Sequence, residues 1–155
     1  MAGFMYNDGG RAEAGFKGAA GDCVTRAIAI ATGKSYREVY DNLNALAQSE
    51  RITKRRAKKS SARTGVHKDT FKKYLASLGW KWIPTMLIGQ GCNVHLIADE
   101  LPVGTIIVSV SRHLTTMIDG VVLDTSDPRT WEVGYKDGVK YIRATRCVYG
   151  YFTKE

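Results

Sequence analysis

The sequence predicts an α+β fold in which N-terminal helices pack on a C-terminal antiparallel sheet. Three segments in the first half place apolar residues three and four positions apart, which is typical of helices that bury one face. Six shorter segments in the second half are rich in β-branched and aromatic residues and are separated by Gly, Pro, Asp or Ser, which is typical of strands. Helices followed by strands favour the α+β class. Because 155 residues is the length of one domain, we expect a single domain over 1–155.

The predicted helices have recognisable ends. The first lies between Asp22, a good N-cap, and Gly33, a good C-cap. A Ser-x-x-Glu capping box beginning at Ser35 opens the second helix, and Gly79 stops the third. These signals place the helices at 23–32, at 36–47 and at about 66–78. The predicted strands are 80–87, 104–110, 113–118, 121–124, 139–144 and 147–152, with one short helical turn at 97–101.

The dipeptide Asp119-Gly120 lies between two apolar runs and predicts a two-residue type I′ hairpin. Counting outward from this turn pairs the two strands and places His113 and Asp124 on the same face of the hairpin. They are diagonal neighbours with α-carbons about 7 to 8 Å apart, which is within reach for an imidazole and a carboxylate. We expect the opposite face to be core and this face to have a polar end.

Cys23 occupies the first turn of a predicted buried helix. Unpaired N–H groups and the positive end of the helix dipole stabilise a thiolate there, and they lower a thiol pKa from about 8.5 to roughly 3.5 to 7.5. If the sheet end with His113 and Asp124 packs against this helix start, the sulfur meets one imidazole nitrogen while the carboxylate holds the other. The expected roles are nucleophile, general base and orienting acid.

The net charge of +8 is concentrated in one segment. Seven basic residues fall within 51–63, which contains no acidic residue, and outside it the two signs nearly balance. Two interpretations stay open. The segment is a solvated surface loop or helix end, or it contacts nucleic acid or an acidic protein partner. The residues are Arg51, Lys54, Arg55, Arg56, Lys58, Lys59 and Arg63.

The cysteines give no clear sign of a disulfide framework or a metal. Three thiols cannot all pair within the chain, and we expect all of them to be reduced. Cys92 and His95 have Cys-x2-His spacing, but no second closely spaced pair completes a zinc motif, so we expect no metal and no cofactor. Further ligands considered for that pair are His113, His67 and Cys147. No apolar run is long enough to span a bilayer and no secretory signal is apparent, so we expect a cytoplasmic protein.

Several short stretches together resemble the papain-like cysteine peptidase superfamily, and in particular small phage and bacterial proteins of that fold. The stretches are Gly-Asp-Cys-Val-Thr-Arg-Ala at 21–27, Leu-Gly-Trp at 78–80, Ser-Arg-His-Leu at 111–114, Asp-Gly at 119–120 and Leu-Asp-Thr at 123–125. The resemblance implies a papain-like fold and hydrolysis or transfer at an amide, isopeptide or thioester carbonyl through a thioacyl intermediate. We therefore expect a cysteine hydrolase that acts on a protein or peptide substrate, with a non-catalytic binding protein as the alternative.

Carried over by position, the resemblance implies Cys23 as nucleophile, His113 as base and Asp124 as the third member of the triad. Papain places a glutamine six residues before its cysteine to complete the oxyanion hole, and this chain has Lys17 there. The backbone N–H of Cys23 is one candidate donor. Asn7 is the first candidate for the other donor, because the stretch 7–10 can turn the chain back over the helix start. The second candidate is Gln90.

Overall fold

The computed structural model describes residues 3–18 and 20–154, and within them it has the α+β architecture that the sequence predicts. The helices are α1 (Cys23–Thr32), α2 (Tyr36–Ala47) and α3 (Lys68–Ser77). The strands are β1 (Phe4–Tyr6), β2 (Lys81–Pro84), β3 (Thr105–Val110), β4 (His113–Ile118), β5 (Val121–Asp124), β6 (Trp131–Lys136), β7 (Val139–Ala144) and β8 (Val148–Thr153). A 3-10 turn, Ala98–Glu100, precedes β3. Among these helices none has the length and apolar character that crossing a membrane requires.

The helix ends follow the predicted capping signals, with one exception at Asp22 that concerns the site. Gly33 has a φ of 74° and donates its N–H to the carbonyl of Ala29. The Ser35 hydroxyl accepts a hydrogen bond of 3.1 Å from the N–H of Glu38. These two caps confirm that local sequence signals set the junction between α1 and α2.

The main sheet is mixed, which corrects the expectation of an antiparallel sheet. Its six strands lie in the order β1-β5-β4-β3-β8-β2, and β1 runs parallel to β5 while the other neighbours are antiparallel. The sequence did not predict β1 because a three-residue strand in a glycine-rich entry is too short to show alternation. It also missed β6, which pairs with β7 in a separate two-stranded sheet and has no fully buried residue.

The hairpin between β4 and β5 has the predicted turn and register. Asp119 and Gly120 have φ values of 48° and 82°, the positive pair that a type I′ turn requires. The ladder pairs follow the predicted count and are Thr116 with Leu123, Met117 with Val122 and Ile118 with Val121. The turn therefore fixes which residues of the two strands share a face.

Both faces of the main sheet are buried, whereas we expected one core face. The helices cover one face, where Ile107, Leu114 and Phe152 join the helical core. The second core lies on the other face and includes Leu96, Leu101, Val108, Met117 and Val122. Thr116 donates a 2.6 Å hydrogen bond to the carbonyl of Ala27, which fastens α1 to β4 in the middle of the sheet. This contact sets where the start of α1 lies along β4.

Cys92 and Cys147 form a disulfide, which differs from the expectation of three reduced thiols. The two residues are 55 positions apart in the chain, so no local spacing predicts their contact. The fold brings them together through a β-bridge between His95 and Cys147. Cys23 is the free cysteine.

Candidate active site

The structure brings the Cys23, His113 and Asp124 side chains together at one end of the main sheet. Cys23 opens α1, His113 opens β4, and Asp124 ends β5. The Nε2 atom of His113 lies 2.6 Å from Oδ2 of Asp124, and the same imidazole faces the cleft that Cys23 lines, close enough for the two side chains to shift each other's pKa. Because Asp124 occupies Nε2, the nitrogen left for the sulfur is Nδ1. The ring therefore bridges a thiol and a carboxylate.

The surroundings of Cys23 favour its thiolate. Burial raises the pKa of the thiol, but hydrogen bonds from His113 and from the backbone N–H of Leu114 lower it more. The positive charges of His113 and Arg26 act in the same direction, so the pKa of Cys23 lies below its ordinary value of 9.0. The half-buried free sulfur therefore has the electropositive surroundings that are typical of reactive cysteines.

His113 and Asp124 are held in their charged forms. Burial lowers the pKa of His113, but its hydrogen bonds with Asp124 and Cys23 outweigh this effect and raise the pKa to about 9. Burial raises the pKa of Asp124, and hydrogen bonds from His113 and Thr115 bring it below its ordinary value. The Thr115 hydroxyl donates to Oδ2 at 2.7 Å and the N–H of Thr125 donates to Oδ1 at 2.7 Å, which fixes the carboxylate orientation. At neutral pH the raised pKa of His113 favours an imidazolium and the lowered pKa of Asp124 favours a carboxylate, while the lowered pKa of Cys23 shifts that side chain towards its thiolate.

Asp22 does not cap α1, contrary to the sequence-based expectation. Its side chain makes no capping bond and instead binds Arg26 in an ion pair, accepts a 2.5 Å hydrogen bond from the hydroxyl of Tyr36 and lies 3.4 Å from Nε of Arg11. Arg26 reaches Asp124 as well, with 3.4 Å between Nη2 and Oδ1. The half-buried guanidinium of Arg26 thus links the residue before the cysteine to Asp124.

The absent side-chain cap leaves the N–H groups of the first turn of α1 available on the cleft side. Cys23 and Val24 both line that cleft, so their N–H groups are candidate oxyanion donors. Asn7 does not lie among the described residues of the cleft lining. Its backbone N–H donates to the carbonyl of Asp124 at 2.9 Å, and its Oδ1 accepts from Gly9 at 2.8 Å. Exposed Gln90 is outside the lining too.

A cleft of about 650 Å³ runs past Cys23 and His113. One wall comes from the loop 64–66 and the start of α3, and the other from the turn between β3 and β4. Lys68 and Arg112 are among the lining residues, and Asp22, the carboxylate found among the described lining residues, is buried in its ion pair. The volume of the cleft falls within the range of ligand-binding clefts, and its exposed charges are positive.

The basic segment 51–63 lies in a loop without helix or extended strand, apart from the cleft. Three of its cations contact the protein. Arg56 pairs with Asp69 at 2.9 Å, Lys59 donates to the carbonyl of Gln48, and Arg63 donates to that of Lys17. The remaining four are exposed and are Arg51, Lys54, Arg55 and Lys58.

Among the residues that the structure describes, one group of side chains could hold a metal ion, and it is separate from the triad. Ligand atoms of Cys92, His95 and Cys147 lie within 4.8 Å of one another. Of the additional ligands considered for the Cys-x2-His pair, the structure thus supplies Cys147. His113 belongs to the triad, and His67 is bonded through Nε2 to the carbonyl of Lys58.

Sequence reasoning missed three side chains that support the triad. Arg26 is four residues after Asp22, a spacing that predicts a helical ion pair. Thr115 follows from the hairpin count, because it lies on the face of Asp124. Tyr36 gave no local signal, since its bond to Asp22 depends on how α2 packs on α1.

Comparisons with protein-family models, with curated proteins and with solved structures found no match for this chain.

Proposed function

We propose that this protein is a cysteine hydrolase of papain-like fold that cleaves a peptide or isopeptide bond through a Cys23 thioacyl intermediate. The observation that carries the proposal is the imidazole of His113, whose Nε2 lies 2.6 Å from Asp124 Oδ2 and whose charge and proximity lower the pKa of the Cys23 thiol in the same cleft. A buried structural cysteine needs no oriented imidazole. A helix-start thiol packed against a sheet that carries the base and the acid supports the papain-like assignment, as does the chain order Cys, His, Asp.

The proposed reaction has two stages. The Cys23 thiolate attacks the substrate carbonyl carbon, and the resulting oxyanion accepts hydrogen bonds from the N–H groups at the start of α1. The imidazolium of His113 gives its proton to the leaving nitrogen, the carbon–nitrogen bond breaks, and a thioester to Cys23 remains. The now neutral His113 takes a proton from water as the water attacks the thioester, which releases the acid and restores the ion pair.

Asp124 has an orienting role in this scheme. Its buried carboxylate fixes the plane of the imidazole and stabilises the imidazolium, while Thr115 and Thr125 fix the carboxylate itself. Arg26 balances the charge of the carboxylate and steadies the start of α1 through Asp22. We place the substrate in the cleft beside Lys68 and Arg112. We also propose a cytoplasmic location, because a free catalytic thiol stays reduced there.

An activity-based probe tests the proposal. A peptide or ubiquitin-like tail ending in an electrophile is incubated with the wild type and with Cys23→Ala, and the labelled residue is mapped by mass spectrometry. We expect one label, on Cys23, which is absent from Cys23→Ala and much slower on His113→Ala. Labelling that is equally fast on His113→Ala, or no faster than that of an ordinary thiol, would contradict the proposal.

A second candidate function is a binding protein that uses the basic segment. It is favoured by the four exposed cations on one loop, which make no ion pair with the rest of the described chain. Such a surface attracts nucleic acid or an acidic protein partner without needing the triad.

A further inference from the structure

Cys92, His95 and Cys147 form a compact group of soft ligands away from the triad. The sulfur atoms are joined as a disulfide, and the imidazole of His95 lies directly beside them. We propose that reduction of this disulfide converts the group into a binding site for one Zn²⁺, with two thiolates, one imidazole and a water as ligands. This site is independent of the proposed hydrolase activity.

The geometry of His95 and Cys92 fits a shared zinc ion. The Nε2 atom of His95 lies 3.5 Å from Sγ of Cys92. With Zn–N about 2.05 Å and Zn–S about 2.3 Å, a tetrahedral site places these two atoms about 3.6 Å apart. The nitrogen and the sulfur are therefore already separated by the edge of a zinc tetrahedron.

The imidazole of His95 is oriented as a metal ligand. Its Nδ1 atom lies 3.2 Å from Oε1 of Glu100, and the backbone N–H of His95 donates to the same oxygen at 3.2 Å. Donation from Nδ1 to a carboxylate leaves the lone pair on Nε2, which is the atom that faces the sulfur. A carboxylate behind a histidine is the usual support of zinc-binding imidazoles, because it fixes the tautomer and raises the basicity of the ring.

The backbone around the group is held in place by hydrogen bonds from outside it. The N–H of Leu96 donates to the carbonyl of Arg146 at 2.9 Å, and the N–H of Val148 donates to that of Val94 at 2.8 Å. The α-carbons of Cys92 and Cys147 are 5.8 Å apart. Rotation of the side chains is therefore enough to open the sulfur atoms to the tetrahedral edge of about 3.8 Å.

The two electrons that reduce the disulfide come from an external reductant, so no group of the protein has to be oxidised. A phosphine reductant donates two electrons to the disulfide and becomes a phosphine oxide with oxygen from water, while the two sulfur atoms take up two protons. Zinc then displaces those two protons as it binds the thiolates, so binding is pH-dependent and releases two protons per ion. In a cell, dithiol reductants would supply the same two electrons.

The test uses the full chain reduced with a phosphine and titrated with Zn²⁺ against a chromophoric chelator. We expect one tightly bound ion per chain and, with Co²⁺ in its place, the absorption of a tetrahedral cobalt–thiolate site. Cys92→Ser and His95→Ala are expected to lose this binding. Glu100→Gln is expected to weaken it about 10- to 100-fold, because Glu100 acts through His95.

Cys23→Ser and His113→Ala are the matched controls, because they remove a thiol and an imidazole from the triad and leave the second site intact. Both are expected to bind one zinc ion with wild-type affinity. Zinc that survives in His95→Ala, zinc that is lost in Cys23→Ser, or a reduced wild type that binds no stoichiometric zinc would each overturn the proposal. The side chain of His95 is about 30% exposed, so we expect His95→Ala to leave the fold intact. This variant therefore tests the site even if a substitution at Cys147, next to strand β8, disturbs the fold.

Discussion

At the scale of single residues, the properties of the candidate site depend on the hydrogen-bond and ion-pair partners of its polar side chains. The side chain of Asp22 binds Arg26 and Tyr36 and does not cap α1. The N–H groups beside Cys23 are therefore open to the cleft. His113 is about 22% exposed at its side chain, and Asp124 about 4%, so the acid is sealed while the base still reaches the cleft. This difference in exposure is what the proposed mechanism requires, because His113 would exchange protons with the substrate while the buried carboxylate of Asp124 orients its ring.

The pH dependence of Cys23 alkylation tests the ion pair. Because His113 lowers the thiol pKa, we expect iodoacetamide to modify Cys23 rapidly near pH 6, without reductant so that Cys92 and Cys147 stay paired. His113→Ala should move the midpoint to higher pH, and each unit reduces the rate near pH 6 about tenfold. His67→Ala is the control, since His67 bonds Lys58 outside the cleft. An unchanged profile in His113→Ala would exclude the ion pair.

The pH profiles of hydrolysis and of alkylation at high pH distinguish the proposed role of Cys23 as nucleophile from that of His113 as proton donor. The pKa of His113 is raised to about 9, so the imidazolium persists through neutral pH and is lost as the pH rises through that value. Hydrolysis, which needs the proton for the leaving group, should therefore fall at high pH, while alkylation, which needs the thiolate alone, should stay high. The two limbs belong to the coupled pair rather than to either residue.

At the scale of elements, the hairpin of β4 and β5 sets the site. Its turn places His113 and Asp124 near the open end of the hairpin, and the bond from Thr116 to Ala27 brings the start of α1 to that end. A slip of one residue in this register would move either polar side chain to the opposite face. The hairpin count made from sequence succeeded because a two-residue turn leaves no freedom in the pairing.

The hairpin of β6 and β7 has a second turn with paired positive φ values, 53° at Asp137 and 78° at Gly138, and it allows a matched test of this element. A methyl group at Gly120 would lie 2.7 Å from Cβ of Ala98, whereas one at Gly138 meets nothing within 4 Å, and both glycines have φ near +80°. Gly138→Ala should cost about 1 kcal/mol of unfolding free energy from strain alone. Gly120→Ala should cost about 1 to 3 kcal/mol more, because the turn must shift against Ala98. Equal losses in urea denaturation would contradict this account.

At the scale of the whole molecule, most of the excess positive charge lies on a loop apart from the cleft. The binding alternative predicts that a short DNA or RNA duplex binds at low salt. For DNA, the logarithm of the affinity should fall by about 0.9 per tenfold rise in salt for each phosphate that the protein neutralises. Neutralising the four exposed cations, Arg51, Lys54, Arg55 and Lys58, to Gln should remove most of this dependence. The control neutralises exposed Lys81, Lys136, Lys140 and Lys154. Equal effects of both sets would show non-specific attraction, and no binding at low salt would dismiss the alternative.

Local sequence signals were sufficient for the features that depend on neighbours along the chain. The cap at Ser35, the stop at Gly33 and the Asp119-Gly120 turn are local, and the turn was enough to place His113 beside Asp124. Helix α1 begins at Cys23 as predicted, although the side chain of Asp22, from which that start was predicted, makes no capping bond. The long-range contacts could be identified from the folded chain alone, because each joins segments far apart in sequence. These include the parallel pairing of β1, the reach of Arg26 to Asp124, the bond from Tyr36 to Asp22 and the meeting of Cys92 with Cys147. Contacts of this kind depend on how whole faces pack, and no spacing along the chain encodes that packing.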